Sequence, residues 1–122
     1  MTDRFCVTAT HAQDDPDRAT VAWVIDNAAL ASGKDTMIFL SNEGVRVGFS
    51  GGADAIHQEG FAPLADLIAT FSAGGGRILV CTPCAKARGI ESSPLVDGAA
   101  LGGGAGLVEF LTAEGAVASV SY

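Results

Sequence analysis

Hydrophobic residues fall in short runs that alternate with stretches of helical spacing. The runs at residues 5–10, 36–41 and 78–81 have the length and the β-branched or aromatic content of buried strands. A shorter run at 99–101 and a last one at 116–122 bring the set to about five strands. Strands that alternate with helices predict an α/β fold with a mainly parallel sheet.

The first helix has clear signals at both ends. An Asp-Pro pair at Asp15 and Pro16 predicts its start, and Gly33 predicts a stop after about Ser32. Trp23 lies among apolar residues on one side of this helix. A second apolar face follows the i, i+3, i+4, i+7 pattern. A helix that is apolar nearly all round is buried on more than one face, so we expect a neighbouring subunit to cover one of them. The second face consists of Val21, Val24, Ile25 and Ala28.

Two glycine-rich stretches need separate interpretation. Residues 42–56 predict a short helix followed by a mobile loop, after which 64–71 read as an amphipathic helix. The Gly102–Gly106 run does not complete the G-x-G-x-x-G fingerprint, because position 107 is Leu, and the sequence has no P-loop. Close helix packing is therefore favoured over phosphate binding, and no cofactor is predicted.

Composition limits the classes of partner. The chain has 122 residues, which suits a single domain spanning 1–122. Its net charge of −7 argues against nucleic acid and against anionic membranes as partners. No uncharged apolar run reaches the length of a membrane span, and the first residues lack a signal-peptide layout. Three cysteines do not make a disulfide framework, so we expect a cytoplasmic protein.

The strongest chemical signal is a C-x-x-C motif at a strand-to-helix junction. The strand at 78–81 ends in Cys81, and Cys84 follows within the first turn of the predicted helix. The partial positive charge of a helix start stabilises a thiolate, which is the reactive form of cysteine. Lys86 and Arg88 follow at positions from which their charges can stabilise an anion. We therefore expect Cys81 to be the more reactive thiol.

Other uses of these cysteines stay open. A cysteine that ends a core strand is often a small buried hydrophobe, which is an alternative for Cys81. A C-x-x-C pair also resembles the redox motif of thioredoxin, although that motif lies early in a thioredoxin chain. Zinc needs two further ligands, and Cys6, His11 and His57 do not form a second pair. No metal site is predicted.

His11 and Glu43 are candidates for substrate binding. The carboxyl ends of parallel strands form the ligand crevice of an open α/β sheet. His11 follows the first strand and Glu43 follows the second, so both can share that crevice with Cys81. The alternative for His11, a loop histidine that is merely hydrogen-bonded, is favoured. Arg88 can hold an anionic substrate or form an ion pair.

With these residues in place, the chain resembles the DsrE/DsrF-like family of small sulfur-relay proteins, which includes TusD. The likeness covers nearly the whole length, and its most specific part is a Cys followed seven and eight residues later by Arg-Gly. It rests on Ala9-Thr10-His11, Asp15-Pro16-Asp17-Arg18-Ala19, Glu43-Gly44-Val45, Gly60-Phe61-Ala62-Pro63-Leu64, Gly75-Gly76-Arg77-Ile78, Cys81-Thr82-Pro83-Cys84 and Arg88-Gly89-Ile90.

The resemblance implies a three-layer α/β/α sandwich that assembles into trimers or hexamers. It also implies a cysteine that carries persulfide sulfur between donor and acceptor proteins, and Cys81 matches that position. Cys84 departs from the TusD-like pattern, so it becomes a candidate resolving thiol. Two other functions stay open: an oligomeric module that binds a small anion without catalysis, and a dithiol redox protein.

Overall fold

The computed structural model describes residues 3–122. Its centre is one five-stranded sheet with the order β4-β3-β2-β1-β5, in which every neighbouring pair is parallel. The strands are β1 (Arg4–Ala9), β2 (Asp35–Leu40), β3 (Arg77–Cys81), β4 (Ala99–Gly102) and β5 (Val117–Ser121). The helices are α1 (Pro16–Ala31), α2 (Leu64–Ala73), α3 (Thr82–Ala87) and α4 (Gly104–Thr112), with a 3₁₀ helix at Asn42–Gly48.

The layers follow from which face of the sheet each helix covers. Helices α1 and α2 share the main core cluster with β1, β2 and β3 on one face. Helix α4 covers the opposite face, where Phe110 packs with Cys6 and Met37. The central strand β2 is buried from Thr36 to Leu40, as expected for a parallel strand covered on both faces. The predicted three-layer α/β/α sandwich is confirmed.

The first helix begins and ends where its sequence predicts. The Asp15 side chain accepts a hydrogen bond from the backbone N–H of Arg18 at 3.1 Å, so it caps an otherwise unpaired donor. Pro16 occupies the first turn, where its missing N–H is not needed. Gly33 follows the helix with a φ of +83°, a left-handed conformation that glycine adopts without strain.

The structure shows which face of α1 is buried. Trp23 is fully buried and packs edge-on against Phe71 of α2, with ring centroids 5.6 Å apart. The Trp23 side therefore belongs to the core, a choice between the two faces that the sequence left open. The face that includes Val21 and Ile25 is the one that stays partly exposed. Because α1 is apolar nearly all round, periodicity alone could not distinguish its two faces.

A buried arginine fixes α4 to the sheet. Arg4 begins β1, and its guanidinium donates to the carbonyl oxygens of Phe110 at 3.0 Å, Ala113 at 2.7 Å and Glu114. These carbonyls lie at the end of α4, where the helix leaves its acceptors unpaired and carries partial negative charge. Arg4 also lies over the Phe110 ring, 5.6 Å from its centroid. The start of β1 thus holds the helix on this face of the sheet.

Asp26 is an unusual feature of the core. Its side chain lies on α1 and is fully buried, and neither carboxyl oxygen has a hydrogen-bond partner among the described residues. Desolvation raises the pKa of Asp26 to about 9, although the nearby backbone N–H of Asn27 lowers it slightly. Asp26 is therefore a neutral acid in the folded protein at pH 7.

Replacing Asp26 by the isosteric Leu should change how stability depends on pH. The pKa of Asp in an unfolded chain is about 3.9. Between about pH 4 and pH 9 the folded protein therefore holds a proton on Asp26 that the unfolded chain has lost. The free energy of unfolding should therefore fall as the pH rises through that window. Asp26→Leu should remove this contribution and stabilise the fold at pH 7 by about 1–3 kcal/mol. Urea unfolding at several pH values measures both effects.

Asp66 provides the matched control, because it is an exposed acid on α2. Asp66→Leu should leave the pH dependence of the parent protein in place. An unchanged slope in Asp26→Leu would show that this carboxyl ionises freely in the folded protein.

Candidate functional site

The two cysteines of the C-x-x-C motif lie where β3 passes into α3. Cys81 is the last residue of β3 and the N-cap of α3, and Cys84 lies in the first turn of that helix. Both side chains are half-buried and both thiols are free. The predicted strand-to-helix junction is therefore present. Helix α3 has only six residues, so its dipole is a weaker source of anion stabilisation than the sequence suggests.

The electrostatics of the pair favour a thiolate on Cys84. The neighbouring Cys81 thiol is the main reason that the pKa of Cys84 is lowered. The Asn42 backbone N–H and the charge of Arg88 lower it further. Burial, followed by the same contact with Cys84, raises the pKa of Cys81. The pKa of Cys84 is therefore lowered while that of Cys81 is raised, whereas the sequence favoured Cys81 as the more reactive thiol.

A carboxylate shared by two arginines supports this pair. Arg88 Nη1 donates to the Cys84 carbonyl oxygen at 3.1 Å, and Arg88 Nε donates to Glu43. Arg46 Nε donates to the other oxygen of Glu43 at 2.8 Å. Hydrogen bonds from Arg88 and then Arg46 lower the pKa of the Glu43 carboxyl. Glu43 and Arg88 therefore do come together beside the thiols, and Glu43 anchors an arginine.

Asn42 is a site residue that the sequence interpretation missed. It follows β2 by two positions and has a φ of +54°, and its backbone N–H contributes to the lowered pKa of Cys84. The available signal was its residue type. Asn is one of the few residues other than Gly that adopt the left-handed conformation, and here it stands between a strand and a turn.

His11 and Lys86 occupy less central positions. His11 Nδ1 lies 2.8 Å from Asp14 Oδ2, which is the hydrogen-bonded loop arrangement favoured from the sequence. Desolvation is the largest single effect on the Asp14 carboxyl and raises its pKa, but hydrogen bonds from the Ala12 backbone and from His11 together outweigh it, so the pKa is lowered. Lys86 is exposed, and within residues 3–122 it has no ion pair. The cation whose charge acts on Cys84 is Arg88.

The third cysteine lies in a different environment. Cys6 is fully buried in β1 under α4, and burial raises the pKa of its thiol to about 11. It is therefore an unreactive core residue near neutral pH. Within residues 3–122 no three His, Cys, Asp or Glu side chains are arranged to hold a metal ion. Nor does any helix of this range have the length and apolarity to cross a bilayer.

A cavity of about 590 Å³ lies at the opposite end of the sheet. It is bordered by Arg4, Arg77, Asp35 and Phe110, three of which belong to the first residues of strands. Arg77 is paired with Asp35 at 3.0 Å and lies 4.8 Å from the Phe110 ring centroid. The Arg4 guanidinium already donates hydrogen bonds to carbonyl oxygens at the end of α4. No cysteine borders this cavity, and the C-x-x-C pair lies at the carboxyl end of β3 instead.

Removing the charge of Arg88 should make the thiol pair less acidic. Arg88→Met should raise the Cys84 pKa toward its ordinary value, because the pair loses both a positive charge and a hydrogen bond at the Cys84 carbonyl. A higher pKa would lower the thiolate fraction of Cys84 at pH 7 and slow its alkylation. The rate of iodoacetamide labelling against pH, with peptide mapping, measures this change.

Arg46→Met is the matched control, since Arg46 contacts the same carboxylate but its charge does not act on the thiols. It should change the labelling rate less than Arg88→Met does. Cys6 should stay unlabelled in every variant. Equal effects of the two arginine changes would contradict a direct action of Arg88 on the pair.

Comparison with known proteins places this site in context. A curated protein of Methanocaldococcus jannaschii, the uncharacterized MJ0760, is 24% identical over 110 residues. This alignment covers 90% of the present chain but 40% of the relative, so the chain spans about two-fifths of the length of the relative it matches.

Two solved structures have a similar fold. The crystal structure of the Escherichia coli protein ychN matches with a TM-score of 0.79 and 20% identity, covering 98% of this chain and 100% of that one. MTH1491 from Methanobacterium thermoautotrophicum matches with a TM-score of 0.66 and 14% identity over the full length of both chains. The sequence profile of the DsrE/DsrF-like family matches residues 3–117. The chain belongs to the DsrE/DsrF-like family.

Proposed function

We propose that this protein carries sulfur as a persulfide on Cys81, with Cys84 as base and resolving thiol. The observation that carries the proposal is the placement of both free thiols at the start of α3, beside Arg88, which donates to the Cys84 carbonyl oxygen. The lowered pKa of Cys84 favours a thiolate in this pair, and the thiolate is the nucleophilic form of cysteine. Membership of the DsrE/DsrF-like family suggests a role related to sulfur relay.

Loading begins with a proton transfer within the pair. The Cys81 thiol gives its proton to the Cys84 thiolate, and the Cys81 sulfur attacks the outer sulfur of a donor persulfide. A new S–S bond forms on Cys81 while the S–S bond of the donor breaks, and the donor leaves as a thiolate. The outer sulfur keeps its oxidation state, so this step needs no external oxidant or reductant.

Unloading has two routes. An acceptor thiolate can attack the outer sulfur, after which Cys81 leaves as a thiolate and takes its proton back from Cys84. Without an acceptor, Cys84 loses its proton to water and attacks the inner sulfur of Cys81. This reaction forms a Cys81–Cys84 disulfide and releases hydrosulfide. Two electrons from a thiol reductant then restore the dithiol.

A dithiol redox protein is the second candidate. The position of Cys81 as N-cap and of Cys84 in the first turn of α3 favours it, because a disulfide requires two cysteines with close Cα atoms, about 4.4–6.8 Å apart. In that function the disulfide is the working state and no sulfur atom is carried. A binding module for a small anion is less well supported, because the Arg88 guanidinium already donates a hydrogen bond to the Glu43 carboxylate.

The net charge of the chain and its family indicate which kinds of partner it can have. Donor and acceptor are proteins or small thiols rather than nucleic acid or membrane lipid, because the chain has a net charge of −7. DsrE-family proteins form oligomers, and we propose a trimer or hexamer here. Free thiols are maintained in a reducing compartment, which favours the cytoplasm.

A persulfide donor should add one sulfur atom to the Cys81 peptide. Cys81→Ser should abolish the adduct, because it removes the attacking sulfur. Cys84→Ala should form the adduct more slowly and keep it longer, since this change removes both the base and the resolving nucleophile. Mass spectrometry of the peptides over time, with a low-molecular-weight persulfide as donor, follows both effects.

Cys6→Ala is the matched control, because it removes a thiol that is remote from the pair. It should leave both the yield and the lifetime of the adduct unchanged. A disulfide without any sulfur adduct would favour the redox function. An adduct confined to Cys6, or no adduct in the parent protein, would eliminate the carrier proposal.

The protein should also be a homo-oligomer in solution. The support is apolar surface that the protomer leaves uncovered: Val108 of α4 is 57% exposed, Leu101 of β4 is 39% exposed, and α1 has the half-exposed face described above. Burying side chains of this size contributes roughly 1.5–3 kcal/mol each, which helps to offset the cost of association. Light scattering at micromolar concentration should give a trimeric or hexameric mass. A monomeric mass would refute this prediction.

A further inference from the structure

We propose that Glu43 is a positioning residue, which fixes Arg88 and through it the Cys84 carbonyl, so that Cys84 keeps its place beside Cys81. The inference deepens the proposed function, on which it rests for the use made of Cys84 as resolving thiol. It gives Glu43 a role other than the substrate binding expected from the sequence.

One guanidinium links the turn after β2 to the helix of the C-x-x-C motif. Arg88 Nε donates to the Glu43 carboxylate, and Arg88 Nη1 donates to the Cys84 carbonyl oxygen at 3.1 Å. The guanidinium is planar and rigid, so these two contacts tie the Cys84 carbonyl to the Glu43 carboxylate with little freedom. The Arg88 side chain is 23% exposed, so its ion pair with Glu43 is partly shielded from water.

The Cys84 carbonyl needs this partner because α3 is short. The last four carbonyls of the helix Thr82–Ala87, beginning with that of Cys84, have no partner within it. The backbone N–H groups that follow the helix bond to Ala85 and Lys86. The Arg88 side chain therefore satisfies the acceptor on Cys84. A helix of this length is not stable by itself, so its position depends on contacts of this kind.

The other end of the link is fixed to β1. The backbone N–H of Gly44 donates to the Thr10 carbonyl oxygen at 3.1 Å. A Cβ at Gly44 would lie 2.4 Å from the Ala9 carbonyl oxygen, so the turn packs directly on the end of β1. Arg46 Nε donates to the second carboxylate oxygen of Glu43 at 2.8 Å. Glu43 is therefore held next to its backbone and at its side chain, as an anchor requires.

The consequence concerns the step in which Cys84 attacks a sulfur bound to Cys81. The rate of reaction between two held groups falls steeply when one of them is displaced. Without Glu43, the Arg88 side chain is free to turn toward solvent, and the Cys84 carbonyl loses its partner. The first turn of α3 then also adopts positions in which the two sulfurs are too far apart to react.

Ellman's reagent measures this closure without any sulfur donor. One thiolate of the pair attacks the disulfide of the reagent, keeps one half as a mixed disulfide and releases a thionitrobenzoate. The other thiolate then attacks the protein-bound sulfur, which forms the Cys81–Cys84 disulfide and releases a second thionitrobenzoate. With equimolar reagent, the rate of the second release reaches a plateau at high pH. The plateau reports the position of the thiols, because the attacking thiol is then fully ionised.

A double-mutant cycle shows whether Glu43 acts through Arg88. Glu43→Ala should lower the plateau rate about tenfold, within the ~100-fold that a displacement of about 1 Å can cost. The same change in an Arg88→Met background should lower it no further, since the anchor then has nothing to hold. In an Arg46→Met background the effect should persist, because Arg46 is not part of the link to Cys84.

A parallel run with excess reagent reports on folding, because the fully buried Cys6 should stay unreacted in a folded variant. If Glu43→Ala exposes Cys6, the isosteric Glu43→Gln takes its place in the cycle. The same direction is expected, because one neutral carbonyl cannot replace two charge-assisted hydrogen bonds. A folded test variant with the parent's plateau rate would overturn the proposal. So would a further loss of rate when the Glu43 change is added to Arg88→Met.

The result of this cycle is independent of sulfur transfer. A protein that shows the expected cycle, but never forms a Cys81 persulfide, would retain the role of Glu43 and lose the carrier function. A protein that forms the persulfide, but in which the Glu43 and Arg88 changes add, would do the reverse.

Discussion

Parallel strand direction is the constraint on which the site depends. Because β1, β2 and β3 all run the same way, the segments that leave them emerge at one edge of the sheet. The end of β1 supplies carbonyls that lock the turn after β2. That turn supplies Asn42 and Glu43, and β3 supplies Cys81 and the helix that carries Cys84. An antiparallel neighbour would send one of these segments to the other end of the sheet.

The thiol pair gains its properties from groups that are distant in sequence. Glu43 holds Arg88 across 45 positions, and Arg88 in turn contacts the Cys84 carbonyl. A C-x-x-C motif alone does not determine which of its two thiols has the lower pKa. The surrounding groups lower the pKa of Cys84, while burial raises that of Cys81. In the proposed function Cys81 carries the sulfur and Cys84 resolves it, so the two cysteines would have different tasks.

Much of the fold could be predicted from the sequence, because strand runs and helix caps are local signals. Asp15, Pro16 and Gly33 marked the ends of α1, and the position of the thiols at the end of β3 followed from the strand pattern and Pro83. The contacts of Glu43 with Arg46 and Arg88 were not accessible in this way. They depend on how the turn after β2 packs against α3, and the spacing of hydrophobic residues in the sequence does not report that packing.

Two further features were out of reach for a different reason. Helix α1 is apolar on both sides, so its pattern could not show that Trp23 packs on α2 rather than on another subunit. Asp26 is a neutral acid because of desolvation, and a sequence gives no measure of desolvation. Asn42 could have been noted as a residue that tolerates a left-handed turn. The position of its turn, however, depends on the backbone hydrogen bonds from Ser41 to Ala9 and from Gly44 to Thr10.

The pairing of β5 with β1 has a consequence for synthesis of the protein. Thr8 and Ser121 are partners across 113 positions, so the outer edge of β1 stays unpaired until almost the whole described chain has been made. Contacts of such long range slow folding, and an unpaired strand edge is a template for association with other chains. On the ribosome, the nascent chain therefore passes through a long aggregation-sensitive interval that ends when β5 emerges.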